Sequence, residues 1–231
     1  MVMPLRDINP RHTFPLVNVA IIGLNILFFF YELSLGAGIE RFFRQAAFVP
    51  AVYFEPGNVV ADSQSILMSM FLHGGWMHLI GNMLYLWIFG DNVEDRLGHG
   101  LYLVFYLVCG WLASLAHAYT DPASTVPSVG ASGAISGVLG AYLLMYPRAR
   151  VLTLVPMGFY TRLTELPALL VLGLWFVLQL FSGVASLGVR GEAAGVAFWA
   201  HIGGFVAGML LGGILNATLS RREPRPEFPV R

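Results

Sequence analysis

Residues 130–147 read GASGAISGVLGAYLLMYP. The first seventeen of them carry no charge and no proline, and small residues recur throughout. A stretch of that kind suits a helix packed tightly among other helices in an apolar medium. It is one of six apolar runs, near residues 14–34, 76–90, 101–119, 132–147, 165–184 and 196–217. A helix needs roughly 20 mostly apolar residues to cross the hydrocarbon of a bilayer. The second and fourth runs are short or glycine-rich. Pro50, Pro56-Gly57, Asp121-Pro122, Pro147, Pro156 and Gly188 punctuate the connections. Composition agrees: 57% of the 231 residues are hydrophobic and 11% are charged, against about 25% charged in a soluble domain. The expected fold class is all-α, a polytopic membrane protein with a bundle of six transmembrane helices and a long outer first loop. Residues 1–220 would form that domain, and 221–231 (RREPRPEFPVR) a short cytoplasmic Pro/Arg-rich tail.

Charge excludes several functions. The formal net charge is +0, with no basic stripe, so no nucleic-acid partner is expected. One cysteine, Cys109, excludes a disulfide framework or a Cys-rich metal site; mid-helix, it reads as a small apolar filler. His-Glu-x-x-His is absent, which argues against a zinc protease. No cofactor or metal is expected. All thirteen cations are Arg, and their distribution sets direction. With the N-terminus inside, the inner segments hold Arg6, Arg11, Arg96, Arg148, Arg150, Arg162, Arg221, Arg222, Arg225 and Arg231. The outer loops hold only Arg41, Arg44 and Arg190. Both termini are therefore expected in the cytoplasm, with the chain in the cytoplasmic membrane of a bacterium. A rival for the first run is a signal peptide cleaved near Ser34-Leu35-Gly36. The outer loop at 36–66 is rich in aromatics, among them Phe42, Phe43, Phe48, Tyr53 and Phe54. It is expected either to lie in the membrane interface or to pack as an ordinary loop.

Polar groups inside apolar runs point to function. Ser132 opens the fourth run within Gly130-Ala131-Ser132-Gly133. A serine there commonly caps the helix. The other reading is a nucleophile, since glycines admit a substrate backbone and the helix N-terminus favours an oxyanion. His201 lies just inside the sixth run. It is either a hydrogen-bonded core histidine or a general base. His78 and Asn82, spaced i,i+4 on the second run, share a helix face. They serve either interhelical bonding or donation to developing negative charge. The second, fourth and sixth runs all start from the outer side, so the four residues should share one depth. Gly133 and Gly137, and Gly204 and Gly208, form small-residue faces that bring helices close. Asp91, Glu94 and Asp95 read as a solvated helix end. His99 and His117 read as interface residues. Met157, Phe159 and Tyr160 lie in a cytoplasmic connection and read as residues resting on the membrane surface.

Order and spacing together are far more specific than any part. Phe71-Leu72-His73 precedes His78-x-x-x-Asn82; Gly90-x-x-x-Glu94-x-x-x-Gly98 follows; then come Gly130-Ala131-Ser132-Gly133 and Ala200-His201-Ile202-Gly203-Gly204. This pattern resembles the rhomboid intramembrane serine proteases of the six-helix bacterial type, from about Phe71 to Gly208. The resemblance implies that Ser132 is the nucleophile and His201 its base, without an Asp. It implies an oxyanion hole from Asn82, His78 and the Ser132 backbone N–H, and structural roles for His73 and Glu94, the latter tying the inner end of the second helix near Arg96. Two positions depart from the pattern. The first outer loop has no Trp, where some members carry Trp-Arg. Ser136 stands where some members place a Tyr on the catalytic histidine. Tyr85, Trp87, Phe198 and Trp199 are the aromatic candidates to hold the His201 ring.

The expected function is an intramembrane serine endopeptidase acting on single-span or polytopic membrane proteins in the lipid bilayer. The small-residue segment Gly183–Gly195 would be a movable cap over the cavity. Two alternatives fit the sequence less well. A non-catalytic rhomboid-like binder of transmembrane helices typically lacks the serine or the histidine, and both are present. A six-helix transporter gives no reason for Gly-Ala-Ser-Gly at a helix start.

Overall fold

A computed structural model describes residues 3–55, 59–187 and 197–220. A short strand, β1 (Met3–Asp7), precedes helix α1 (Leu16–Ser34). Three shorter helices follow: α2 (Ile39–Ala46), α3 (Pro50–Tyr53) and α4 (Val59–Ser69). Then come α5 (Trp76–Leu97), α6 (His99–Thr120) and α7 (Ser132–Met145). Strands β2 (Arg150–Met157) and β3 (Tyr160–Pro167) form a hairpin leading into α8 (Ala168–Ser186), and α9 (Phe198–Ser220) closes the described chain. Among the described residues, four helices are long and apolar enough to cross a membrane: Leu16–Ser34, His99–Thr120, Ala168–Ser186 and Phe198–Leu219. The other two long runs also form helices. α5 carries Asp91, Glu94, Asp95 and Arg96 in its last turns, and α7 has only 14 residues, about 21 Å of rise against roughly 30 Å of hydrocarbon.

That short helix is the centre of the molecule. Every residue from Ala134 to Leu143 is buried, with α9 and α6 packed closest. Glycines set the approach of α9. A Cβ on Gly208 would lie 1.9 Å from the Gly137 carbonyl oxygen, and one on Gly204 would lie 2.1 Å from that of Gly133. Only backbone-to-backbone contact fits there. Gly137 also receives the Cys109 side chain, so Cys109 is indeed packing.

The fold is not all-α. β1, β2 and β3 form an antiparallel sheet in that order. Its cause is legible after the fact. Val151 and Thr153 alternate inward along β2, and Gly158-Phe159 is a two-residue turn with Gly158 at φ 67°, the glycine-first pattern of tight hairpins. Met157, Phe159 and Tyr160 at its tip are exposed. β1 joins through pairs such as Met3 with Leu154 and Asp7 with Val151.

Where α5 ends, Glu94 is no part of a solvated terminus. Glu94 is fully buried. Its carboxylate accepts the N–H groups of Val17 (2.9 Å) and Asn18 (2.7 Å) and bonds His99 Nδ1. α1 follows Pro15, which supplies no side-chain cap; a carboxylate from another helix does so. Glu94 thus ties the inner end of α5 to the start of α1. Asp95 accepts from the His12 and Thr13 backbone, and Asp91 from Arg11. Gly90 admits a further crossing: a Cβ there would lie 2.2 Å from Asn18 Oδ1, and Asn18 in turn bonds the Leu86 carbonyl and the Tyr102 hydroxyl. Gly98, at φ 78°, makes the tight turn from α5 to α6.

At the opposite end, the aromatic loop is folded rather than free. Phe48 and Ile66 are fully buried against Ala118. Phe48 N–H donates to Ser69 Oγ, and its carbonyl accepts Ser128 N–H. Gly130 N–H donates to the Ser69 carbonyl. The loop therefore braces the segment that leads into α7.

Candidate active site

Ser132 is the first helical residue of α7, and the cap position before it is Ala131, which makes no side-chain bond. The capping reading of Ser132 is thus replaced by another. Its Oγ lies 2.8 Å from His201 Nε2. His201 stands in the first turn of α9, one turn before the Gly204 contact with Gly133. The close glycine crossing of α7 and α9 is what puts serine and histidine within hydrogen-bond reach. A hydroxyl on an imidazole nitrogen is the arrangement for nucleophilic acyl transfer. Ser132 N–H has no intrahelical partner at this position, since the first bond of the helix runs from Ile135 N–H to the Ala131 carbonyl.

The starts of α5, α7 and α9 meet the end of α6 around one cavity of about 680 Å³. All four sequence-predicted residues line it: His78, Asn82, Ser132 and His201. Asn82 is held by His73, with Nδ2 3.0 Å from His73 Nε2. His73 Nδ1 bonds the Phe71 carbonyl at 3.3 Å and so carries the proton, which leaves Nε2 to accept from the amide. His73 N–H donates to the buried carboxylate of Glu32 on α1 at 3.0 Å. One Asn82 N–H is thereby spent, and the second remains. The His78 ring stands edge-on to His73, centroids 5.2 Å apart. A Cβ on Gly130 would lie 2.7 Å from the His78 ring, so glycine at φ 128° is what lets His78 sit beside the approach to Ser132.

The partners of the His201 ring are not the four aromatics expected. Its Nδ1 lies 2.8 Å from Gln179 Oε1 on α8. The Trp175 ring, one turn earlier on α8, lies 6.1 Å away, tilted by 37°. Of the expected candidates, Tyr85 lines the cavity, and Trp87 is exposed. The Ser136 hydroxyl donates back to the Ser132 carbonyl at 2.6 Å. Gln179 is not among the expected site residues, although a lone amide in LWFVLQLF is a polar group inside an apolar run, the same signal that singles out Asn82. Glu32 carries that signal too. His117 is a cavity wall residue as well. The cap expected at Gly183–Gly195 falls largely outside the described residues, and Gly183 to Ser186 belong to α8.

Comparison with known proteins bears on this geometry. A family profile described as Rhomboid domain matches residues 62–218. The chain is 28% identical over 212 residues to Rhomboid protein 1, mitochondrial, of Saccharomyces cerevisiae, covering 89% of this chain and 55% of that protein. It is 32% identical over 200 residues to Rhomboid protease GluP of Bacillus subtilis, covering 86% and 35%. Rhomboid-like protein 11, chloroplastic, of Arabidopsis thaliana is 30% identical over 200 residues, with 83% and 66% covered. The chain spans about half the length of the yeast protein and about a third of the Bacillus protein.

Proposed function

The chain belongs to the rhomboid family of membrane proteins, and we propose that it is an intramembrane serine endopeptidase cutting other membrane proteins within or beside their transmembrane segments. The observation that carries this reading is the 2.8 Å contact of Ser132 Oγ with His201 Nε2, open to a cavity that His78 and Asn82 also line. His201 Nε2 takes the hydroxyl proton as Oγ attacks the scissile carbonyl carbon. The negative charge that develops on the carbonyl oxygen meets Ser132 N–H at the positive end of α7, the free Asn82 N–H and His78. His201 then gives its proton to the leaving amine as the peptide bond breaks. Water attacks the remaining ester, with His201 again as base, and frees Ser132.

Six helices cross the membrane in this reading: α1, α5, α6, α7, α8 and α9. The short α7 needs no full span, because protein surrounds it and its first residue faces an aqueous cavity. The Arg distribution supports a cytoplasmic side for both termini and the tail at 221–231. The cavity then opens to the outer side of a bacterial cytoplasmic membrane. The substrates are single-span or polytopic membrane proteins that reach Ser132 from the bilayer. The test is incubation of the purified full chain in proteoliposomes with a panel of single-helix membrane proteins. Wild type releases two fragments from at least one of them, and Ser132→Ala releases none while keeping wild-type helicity. Equal cleavage by Ser132→Ala would overturn the reading.

A further inference from the structure

His201 is bonded on both ring nitrogens, and the two partners differ in kind. Ser132 Oγ, at 2.8 Å from Nε2, can donate or accept. Gln179 Oε1, at 2.8 Å from Nδ1, has only lone pairs. An amide oxygen facing a ring nitrogen requires a proton on that nitrogen. Nδ1 therefore carries the hydrogen, and Nε2 is left bare toward the serine. That is the tautomer a general base needs, because the nitrogen that removes the hydroxyl proton must hold a free lone pair.

We propose that Gln179 is a positioning residue that fixes the tautomer and ring orientation of His201. The proposal rests on the Ser132–His201 reading above and adds a third member to it. The setting favours an amide over a carboxylate. No acidic side chain touches His201 among the described residues, and a carboxylate at this depth carries a desolvation cost that a neutral amide avoids. The elements around Gln179 hold it firmly in register. Trp175, on the same face of α8 one turn earlier, packs on both His201 and Phe205, and Phe176 stacks on Phe205 at 4.4 Å. These contacts lock α8 to α9 at the level of the imidazole, so the amide reaches Nδ1 without a flexible intermediary. The ionisable groups facing the same cavity from other elements are His78 and Tyr85 on α5, His117 on α6 and Asp121 after it.

Two variants separate a hydrogen bond from packing. Gln179→Met keeps an unbranched side chain of similar length and removes the acceptor. It should lower kcat about 10–10²-fold, the scale of a misaligned base, with KM nearly unchanged. Gln179→Glu restores an acceptor and adds a negative charge. It should recover most of kcat and move the acid limb of kcat/KM upward by about a pH unit or more, since a nearby carboxylate favours imidazolium. Full kcat in Gln179→Met, or an unmoved acid limb in Gln179→Glu, would overturn the proposal. A reading independent of turnover comes from ¹⁵N spectra of histidine-labelled protein, with His201 assigned by its loss in His201→Ala. The wild type should show a protonated Nδ1 and a bare Nε2, and Gln179→Met a mixture of tautomers. A wild-type signal protonated on Nε2 sinks the positioning role even if the protein cleaves. A wild type with the expected tautomer whose cleavage is indifferent to Ser132→Ala sinks the protease reading instead.

Discussion

Gly204→Ala is the sharpest test of how the fold builds the site. The new Cβ would lie 2.1 Å from the Gly133 carbonyl oxygen and 3.0 Å from its carbon. Both are backbone atoms of a buried helix and cannot swing aside. Ordinary contact begins at 3.4 Å and even the tightest real contacts lie above 3.0 Å, so α9 must retreat from α7 by about 1 Å or more at this level. Ser132 adjoins Gly133, and His201 sits nearly one turn before Gly204 on the same helix face. The retreat therefore falls on the 2.8 Å contact between Oγ and Nε2, stretching it to about 3.8 Å, beyond a hydrogen bond. A misplacement of that size costs about 10²-fold in rate, while overpacking costs about 1–3 kcal/mol in stability. Gly173→Ala on α8 is the control, because nothing lies within 4 Å of a Cβ there. The assay is the initial rate on a single-helix reporter in proteoliposomes, with folding followed by circular dichroism. Folded Gly204→Ala protein cleaving within twofold of wild type would refute the claim that this glycine crossing sets the dyad distance.

Two further substitutions probe the other end of the bundle. Glu94→Ala removes two charge-assisted bonds to buried N–H groups of α1 and should cost about 3–5 kcal/mol, with Glu94→Gln losing about half of that; equilibrium unfolding in SDS mixed micelles measures both, and a loss below about 1 kcal/mol for the alanine variant would contradict the capping role. Asp7, buried in β1 against Asn92 and Tyr142, has its carboxyl pushed by burial from 3.8 up to about 6. The folded state thus holds this proton more tightly than the unfolded chain. Its stabilising contribution is full below about pH 3.8 and is lost as pH rises through about 6. Asp7→Asn should flatten the pH dependence of unfolding between pH 4 and 7 and gain up to about 3 kcal/mol at pH 8, from a difference of roughly two pH units; an unchanged slope in that window would remove Asp7 as its source.

The helices were legible because each apolar run is nearly free of charge and the connections between them are punctuated by proline or glycine. The candidate site was legible because Ser132, His201, His78 and Asn82, which line one cavity, are polar residues in such runs, where a polar group needs a partner. The glycine faces were equally readable, and the contacts of Gly204 and Gly208 with the α7 backbone agree with them. The sheet is not legible from apolar runs, because by that measure 147–165 is connection. The alternation of Val151 and Thr153 beside Gly158 is a period-two signal, too short to stand out as such a run. The resemblance puts Glu94 at the inner end of the second helix, but nothing in the local sequence shows the distant proline-led helix start that it caps. Gln179 and Glu32 illustrate a different limit. Both fit the rule that picked out Asn82, yet which polar residue meets which depends on helix rotation, and α8 has no motif to reveal it.

The central claim is that Ser132 is a nucleophile activated by His201. Its most direct measurement is mass-spectrometric mapping of the protein after exposure to a fluorophosphonate in native-like membranes. The account predicts a single adduct on Ser132 in the wild type and its loss in folded His201→Ala protein. An unmodified Ser132, or equal labelling with and without His201, would contradict it.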